Sequence, residues 1–359
     1  MMRAAVLQDT LGIGGRSKVV AKVIELLAER ADGIDVHTLA SEADARKFRD
    51  HYGLDADGID TVIHPGGRVP GTLYRQPLLN FLAREHLREY QFVFNSNNCL
   101  RFLHRGPEYV HYVHFPASGI PEVDPRYDEP FYRLASIPSK ILTAVTGTNA
   151  EGQVFANSGF TSGYVTELYG IDDVEVLYPP SLERVTFDGF SGEGVVSLGS
   201  FHPNKRQLFQ LRVAEAMPET EFRIVGSTSD EGYFQQCRAY VEDNDLKNVE
   251  LFPDASNDRV EQLLDRSRVF LHSMENERFG IATVEGLDHG CVPVVHDSGG
   301  QREIVPDPAF RFRTRRECVR AIERASAGGE PDVADVPAHL ETFSDERFQR
   351  RIRAAIEAA

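Results

Sequence analysis

A chain of 359 residues exceeds what one hydrophobic core comfortably fills and suits two domains of roughly 150 to 180 residues each. Its 41% hydrophobic content, with Gly and Pro spread along the whole length, excludes a disordered or fibrous chain, and no run of about 18 apolar residues reads as a membrane span. The net charge of −16, with arginine rather than lysine supplying nearly all the cations, argues against general nucleic-acid binding and suits a halophilic, salt-rich cytoplasm.

In chain order, residues 3–9 (RAAVLQD) read as a strand, "TLGIGGRS" as a glycine turn and 18–30 as a helix with apolar residues at helical spacing. "IDVHTLA" is the next strand. This β, glycine turn, α, β order is the opening of a doubly wound sheet. Short apolar strands recur at 90–97 and 108–116. "SKILTAVTG" is a helix before the strand "GQVFANS", and a helix at "FTSGYVTELYG" leads to the strand 174–180.

Residues 181–194 lack apolar periodicity and are rich in turn formers, which places a linker there. The alternation then resumes through strand, turn and helix in "VVSLGSFHPNKRQLFQLRVAEAM". Strands at "TEFRIVG", "VELFP", "RVFLHS" and "VPVVH" alternate with helices, so a second parallel sheet covered on both faces is expected. The terminal segment "SDERFQRRIRAAIEAA" opens with Ser344 and two acids in its first turn, a helix start. The four cysteines, at 99, 237, 291 and 318, sit in apolar or helical patterns without a CxxC pair and read as reduced and buried. "DAD" (55–57) and "DND" (243–245) lie in polar surroundings and are not read as metal sites.

In "ENERFGIATVEGLDHG", Glu277 and Glu285 flank a mostly apolar segment. On one continuous helix they would be about 12 Å apart along the axis, too far to share a metal ion. If the helix instead begins near Gly280, Glu277 precedes it and Glu285 lies in its second turn. Backbone N–H groups around Phe279, Gly280 and Ile281 would then favour an anion such as a diphosphate, and each carboxylate would meet a different part of one long ligand. From the spacing alone an ordinary solvated helix start with scattered acids is the better reading. In "LGSFHPNKRQ", Gly199 ends a strand and the turn delivers Lys205 to a helix start, where its ammonium could neutralise a phosphate. Ser298, Gly299 and Gly300 end another strand in a turn that lets backbone approach a ligand.

These residues carry a resemblance. "ENERFGIATVEGLDHGCVPVVHDSGGQREIV" is similar to the C-terminal signature of glycosyltransferase family 4, with its two glutamates separated by seven residues. "VSLGSFHPNK", "YVHFP", "FANSGFTSGYVTELYG" and "VEVLYPP" resemble further segments of that family, closest to the α-mannosyltransferases that extend lipid-linked oligosaccharides from GDP-mannose. The resemblance implies an α/β, GT-B fold: two Rossmann-like doubly wound parallel-sheet domains facing a central cleft. It implies an acceptor domain over 1–183, a nucleotide-sugar domain over 184–340 and a helix at 341–359 crossing back to the first. It implies a retaining hexosyltransferase that needs no metal or other cofactor beyond the nucleotide-sugar co-substrate, GDP-mannose or a UDP-sugar.

Under the resemblance, Lys205, with His202 and the amides at 279–281, stabilises the departing diphosphate. Glu277 binds donor-sugar hydroxyls and Glu285 the ribose diol. Ser200 lies in the same donor turn, and Gly14 and Gly15 let backbone approach the phosphates. His114, in "YVHFP", matches the family histidine near the donor sugar; as a lone His beside aromatics it also fits a core role. His111, His272 and His296 are read as structural. An arginine is usual in the family where this chain has His202, which shifts the charge burden to Lys205. The expected partners are a nucleotide-sugar donor and a glycan or polyprenyl-linked acceptor, at the cytoplasmic membrane face. Tyr74, Leu78, Leu79, Phe81 and Leu82 could touch a membrane, or pack the core. Two other readings stay open: a UDP-sugar enzyme and a silent nucleotide-sugar-binding subunit.

Overall fold

A computed structural model describes residues 2–54, 58–69, 71–148 and 150–358. The "DAD" segment at 55–57 lies outside them. The chain divides into two compact units, Met1–Pro180 with Asp345–Ala359, and Ser181–Ser344.

The first unit is built on a seven-stranded sheet. Its strands are β1 (Met2–Leu7), β2 (Ala31–Thr38), β3 (Ile59–Ile63), β4 (Phe92–Asn95), β5 (Glu108–Val113), β6 (Gln153–Ala156) and β7 (Val174–Val176). They lie in the order β3-β2-β1-β4-β5-β6-β7, paired in parallel throughout. Ala4, Ala5, Val6 and Leu7 of β1 are all fully buried, as a central parallel strand covered on both faces requires. The helix Gly15–Ala28 turns Val19, Val20, Val23, Ile24 and Leu27 onto the sheet. The helix Glu42–Tyr52 starts at a capping box between Ser41 and Asp44.

The terminal helix Asp345–Ala358 belongs to this unit. Phe348, Ile352, Ala355 and Ile356 recur at helical spacing and enter the same core as Ile24 and Val36. Arg351 grips Glu175 with two bonds, of 2.7 and 2.5 Å, and Arg353 pairs with Glu29 at 2.9 Å.

The second unit has a six-stranded sheet of the same pattern. β8 (Val195–Leu198), β9 (Phe222–Gly226), β10 (Val249–Pro253), β11 (Val269–His272), β12 (Val292–His296) and β13 (Arg311–Phe312) lie in the order β10-β9-β8-β11-β12-β13. In both sheets the chain runs outward one way from its first strand, then returns to that strand's other side. This makes a topological switch at β1/β4 and at β8/β11, where ligands of such sheets bind beyond the carboxyl ends. The helix Ile281–Asp288 sits tightly on β11, since a Cβ on Gly286 would lie 2.4 Å from the Phe270 ring.

The strands are shorter than the apolar runs suggest. β5 ends at Val113, which leaves His114 beyond the strand, and β7 stops at Val176 ahead of Pro179 and Pro180. All four cysteines are free and buried, as expected. Among the described residues no helix is long and apolar enough to cross a membrane. In the helix Thr72–Ala83, Leu79 is fully buried and only Phe81 of the five residues singled out there is well exposed, at 60%. The larger exposed apolar stripe lies on the helix Pro130–Val145, where Phe131, Leu134, Ile137, Ile141 and Val145 face solvent while Ser136 and Ser139 are buried.

Candidate functional site

Three segments of the second unit follow β8, β11 and β12 and meet at the carboxyl edge of its sheet. After β8, a single 3-10 turn, Pro203–Lys205, presents Lys205 and Arg206. After β11 comes the loop bearing Glu275 and Glu277. After β12 comes Ser298-Gly299-Gly300, which supports that loop: the Asn276 amide donates to the Ser298 hydroxyl (2.7 Å) and the Gly300 amide to the Glu277 carbonyl (2.8 Å). A Cβ on Gly299 would sit 2.2 Å from that same carbonyl oxygen, and one on Gly300 2.4 Å from the Arg278 carbonyl oxygen. The glycines are there because the two loops touch backbone to backbone.

The Lys205 ammonium donates to Glu277 Oε2 at 2.7 Å. His272, the last residue of β11, brings its Nε2 within 3.4 Å of the same oxygen, and the Arg278 amide donates to the other, Oε1, at 3.0 Å. Burial alone would raise the Glu277 carboxyl. The Lys205 charge and the His272 ring outweigh it and hold the group well below the usual carboxylate range. Burial lowers His272, helped by the Lys205 charge and opposed by Glu277, so its ring is neutral near pH 7. Beside this pair, Arg206 bonds Glu275 at 2.6 Å and the Ser273 carbonyl at 3.1 Å. Two cations of one turn thus face two carboxylates of the next, an arrangement that can exchange partners with an anionic ligand bearing hydroxyl groups.

The helix Ile281–Asp288 begins where expected, with Gly280 at its N-cap in the left-handed region (φ 113). Its first amides have no carbonyl one turn back in the helix, which favours an anion near Ile281. Phe279 is buried against Phe343. Gln301 crowds Gly280, with its Nε2 2.5 Å from where a Cβ would be, and its buried amide has no hydrogen-bond partner among the described residues. Glu285 is half-buried in the second turn. Ser200 is half-buried, its carbonyl accepting from Gln207 at 2.9 Å.

The His202 Nδ1 accepts from the Asn204 amide at 3.2 Å and caps the turn, which leaves Nε2 as its nitrogen for a ligand. Arg206, four residues on, supplies a second cation beside Lys205. From sequence His272 is read as structural and Arg206 is not singled out; the signal available was the facing of "NKR" by "ENE".

In the first unit, His114 follows β5, buried, with Nε2 2.9 Å from the Ser96 hydroxyl and its ring against Tyr112. Burial, reinforced by the Arg16 charge, holds it well below its ordinary value, so it is neutral. Gly14 caps the helix Gly15–Ala28 at φ 138, but its amide and carbonyl are both engaged by the Tyr52 hydroxyl at 3.2 Å. Backbone approach to a ligand at Gly14 therefore has to displace Tyr52, which leaves Gly15, at the first turn, as the freer of the two. Arg16 bonds Asp9 at 2.7 Å. The "DND" acids end a helix on the surface, with Asp245 paired to Lys247.

Each unit is thus a parallel, Rossmann-like sheet, and the paired charges of the second lie beyond its switch point. Residues 192–325 match the family model "Glycosyl transferases group 1". It is 26% identical over 322 residues to a Neurospora crassa protein named GDP-Man:Man(3)GlcNAc(2)-PP-Dol alpha-1,2-mannosyltransferase, covering 70% of this chain and 56% of the relative. To the human protein of the same name it is 26% identical over 229 residues, 57% of this chain and 44% of the relative. The chain spans about half the length of the curated relatives it matches. Anabaena HepE, solved in complex with UDP and glucose, shares the fold over 100% of both chains with a TM-score of 0.70 at 14% identity.

Proposed function

We propose that the protein is a retaining glycosyltransferase that moves mannose from GDP-mannose to a lipid-linked glycan. The observation that carries this reading is the Lys205–Glu277–His272 cluster at the β8/β11 switch, inside the region matched by the family model. Its support in the comparisons is the name shared by the mannosyltransferase relatives. Lys205 and the amides at the Ile281 helix start stabilise charge building on the departing diphosphate, with help from His202. Glu277, ionised and released from Lys205, accepts from donor-sugar hydroxyls, and Glu285 accepts from the ribose diol. No metal takes part in this transfer: Lys205 and Arg206 supply the positive charge that a divalent ion would otherwise bring.

Calorimetry with GDP, UDP, GDP-mannose and UDP-glucose in molar KCl tests the donor. Selective binding of the GDP pair is expected, weakened by about 1.5 to 3 kcal/mol in Glu285→Ala. Selective UDP binding would overturn the donor, and no binding by the folded protein would favour a silent subunit.

The acceptor reading includes peripheral contact with an anionic bilayer on the cytoplasmic side. The helix Pro130–Val145 carries Arg133 and Lys140 and no acid, in a chain of net charge −16, beside its exposed stripe of Phe131, Leu134, Ile137 and Ile141. Cosedimentation with vesicles containing anionic phospholipid is expected for the protein and lost in Leu134→Glu; equal sedimentation of both would remove this face from the reading.

A further inference from the structure

We infer that the first unit binds one divalent transition-metal ion of the zinc class on His37, His64 and His86. The three come from separate parts of the chain: His37 from β2, His64 directly after the edge strand β3, and His86 from the start of the 3-10 helix His86–Glu89. One ring nitrogen from each lies within 4.8 Å of the others. His37 Nδ1 and His64 Nε2 are 3.0 Å apart, with the rings stacked at 20°.

The surrounding hydrogen bonds fix which nitrogen of His37 is available. The Tyr90 hydroxyl donates to Asp35 Oδ2 at 2.6 Å, so its oxygen accepts from His37 Nε2–H at 3.0 Å. That tautomer leaves the Nδ1 lone pair of His37 aimed at His64. A buried carboxylate acting through a tyrosine to orient an imidazole is the outer arrangement that metal-bound histidines use to set ring and tautomer. Asp35 also draws a cation towards this corner, although Arg3 shares it at 2.9 Å.

Tetrahedral Zn–N bonds of about 2.0 to 2.1 Å bring ligand nitrogens to about 3.3 Å from each other. The buried pair already meets that spacing. The exposed third ring, His86, has room to rotate inward, and its open side leaves a fourth position for water. In the metal-free chain the His64 Nε2–H donates into the His37 Nδ1 lone pair, and an ion takes up both nitrogens once that proton moves to His64 Nδ1. Three imidazoles without a thiolate or a carboxylate suit Zn2+, with Cu2+ and Ni2+ as competitors and Mg2+ or Ca2+ excluded. The ion clasps the edge strand β3 to β2 and to the segment before β4, beside a cavity of about 970 Å³ that His64 lines. This site is separate from the residues of the proposed transfer and does not depend on that reading.

The test is calorimetric titration of ZnCl2 into the full chain after chelator dialysis at pH 7.5, with His86→Ala and a control, His51→Ala, an exposed histidine of the same unit. One ion per chain is expected, with a Zn2+-dependent rise in melting temperature. His86→Ala should lower affinity at least tenfold while its metal-free melting temperature stays at that of the native chain, and His51→Ala should change neither. Co2+ in place of Zn2+ should show the ligand-field absorption of a tetrahedral nitrogen site in the native chain and lose it in His86→Ala. Absence of saturable uptake, or equal uptake by the native chain and His86→Ala, would overturn the assignment.

Discussion

The two units share a strand order and a switch point but fill it with different chemistry. Beyond β1 and β4 the first unit has a network of buried amides. The Asn97 side chain accepts from the Asp9 amide at 3.1 Å and donates to the Gln76 carbonyl and to Asn80, at 2.7 and 2.8 Å. Asn98 accepts from the His114 amide at 2.6 Å. Beyond β8 and β11 the second unit has Lys205 on Glu277 and Arg206 on Glu275. Amides bonded to their own backbone have no better partner to find, so they fix loops. Paired charges near the surface have a competitor in any anionic ligand. One topology thus yields a rigid support in one unit and an exchangeable charged surface in the other.

The strongest way to break this contrast is Lys205→Ala. If the ammonium stabilises the departing diphosphate, the transfer rate at saturating donor falls by about 10² to 10³, the loss typical of one electrostatic donor. If Lys205 serves only to neutralise Glu277, the variant melts lower yet turns over at the native rate per folded molecule. Removal of the charge also leaves burial at Glu277 opposed by His272 alone, so its carboxyl should titrate higher, which carbon-13 NMR of the labelled side chain would read.

Much of this second-unit site is legible in sequence because it obeys local rules. Gly280 before an apolar helical run marks the helix start, and a glycine pair after "VPVVHDS" marks a backbone contact. The partnership of Lys205 with Glu277 is not legible, since it joins residues 72 positions apart through adjacent parallel strands. The capping role of His202 also escapes, because a histidine that accepts from an amide two residues on leaves the same pattern as one aimed at a ligand. His37, His64 and His86 show no motif at all: only the strand order brings them together. The exposed stripe on Pro130–Val145 is hidden for a different reason. Its apolar residues have ordinary helical spacing, and periodicity cannot say which face the small serines at 136 and 139 will turn inward.

A second test uses pH. His111 is fully buried, Nδ1 accepting from Asn95 at 3.1 Å and Nε2 donating to the Glu151 carbonyl at 3.0 Å, with Tyr109 stacked on it. Burial lowers it to about 4, the Glu151 carbonyl opposing, and His114 is lowered by burial and Arg16. In the unfolded chain both would bind protons near pH 6.5. Between that pH and about 4 the unfolded state therefore holds more protons, so stability is full above pH 6.5 and declines as pH falls. Glu277, depressed rather than raised, adds stability that is present above its unfolded value near 4.5 and is lost only in stronger acid. The melting temperature should thus fall first between pH 6.5 and 4, and a flat profile there would mean that the first-unit histidines are not held neutral. Histidine ring NMR signals can assign the loss to His111 and His114 directly.

Asn97→Ala acts on folding and leaves the transfer chemistry alone. It removes no charge and no large apolar group, but leaves the Asp9 amide, the Gln76 carbonyl and Asn80 Oδ1 without the partner each has now. Each unsatisfied buried group costs about 1 to 3 kcal/mol, reduced where a water enters the space left by the side chain. The loss should appear in denaturant unfolding as a lower midpoint with the same slope, while donor affinity in the second unit stays within twofold of native. An equal fall in donor affinity would show that the amide network does more than hold its own loops, and the contrast between a fixed support and an exchangeable charged surface would have to be given up.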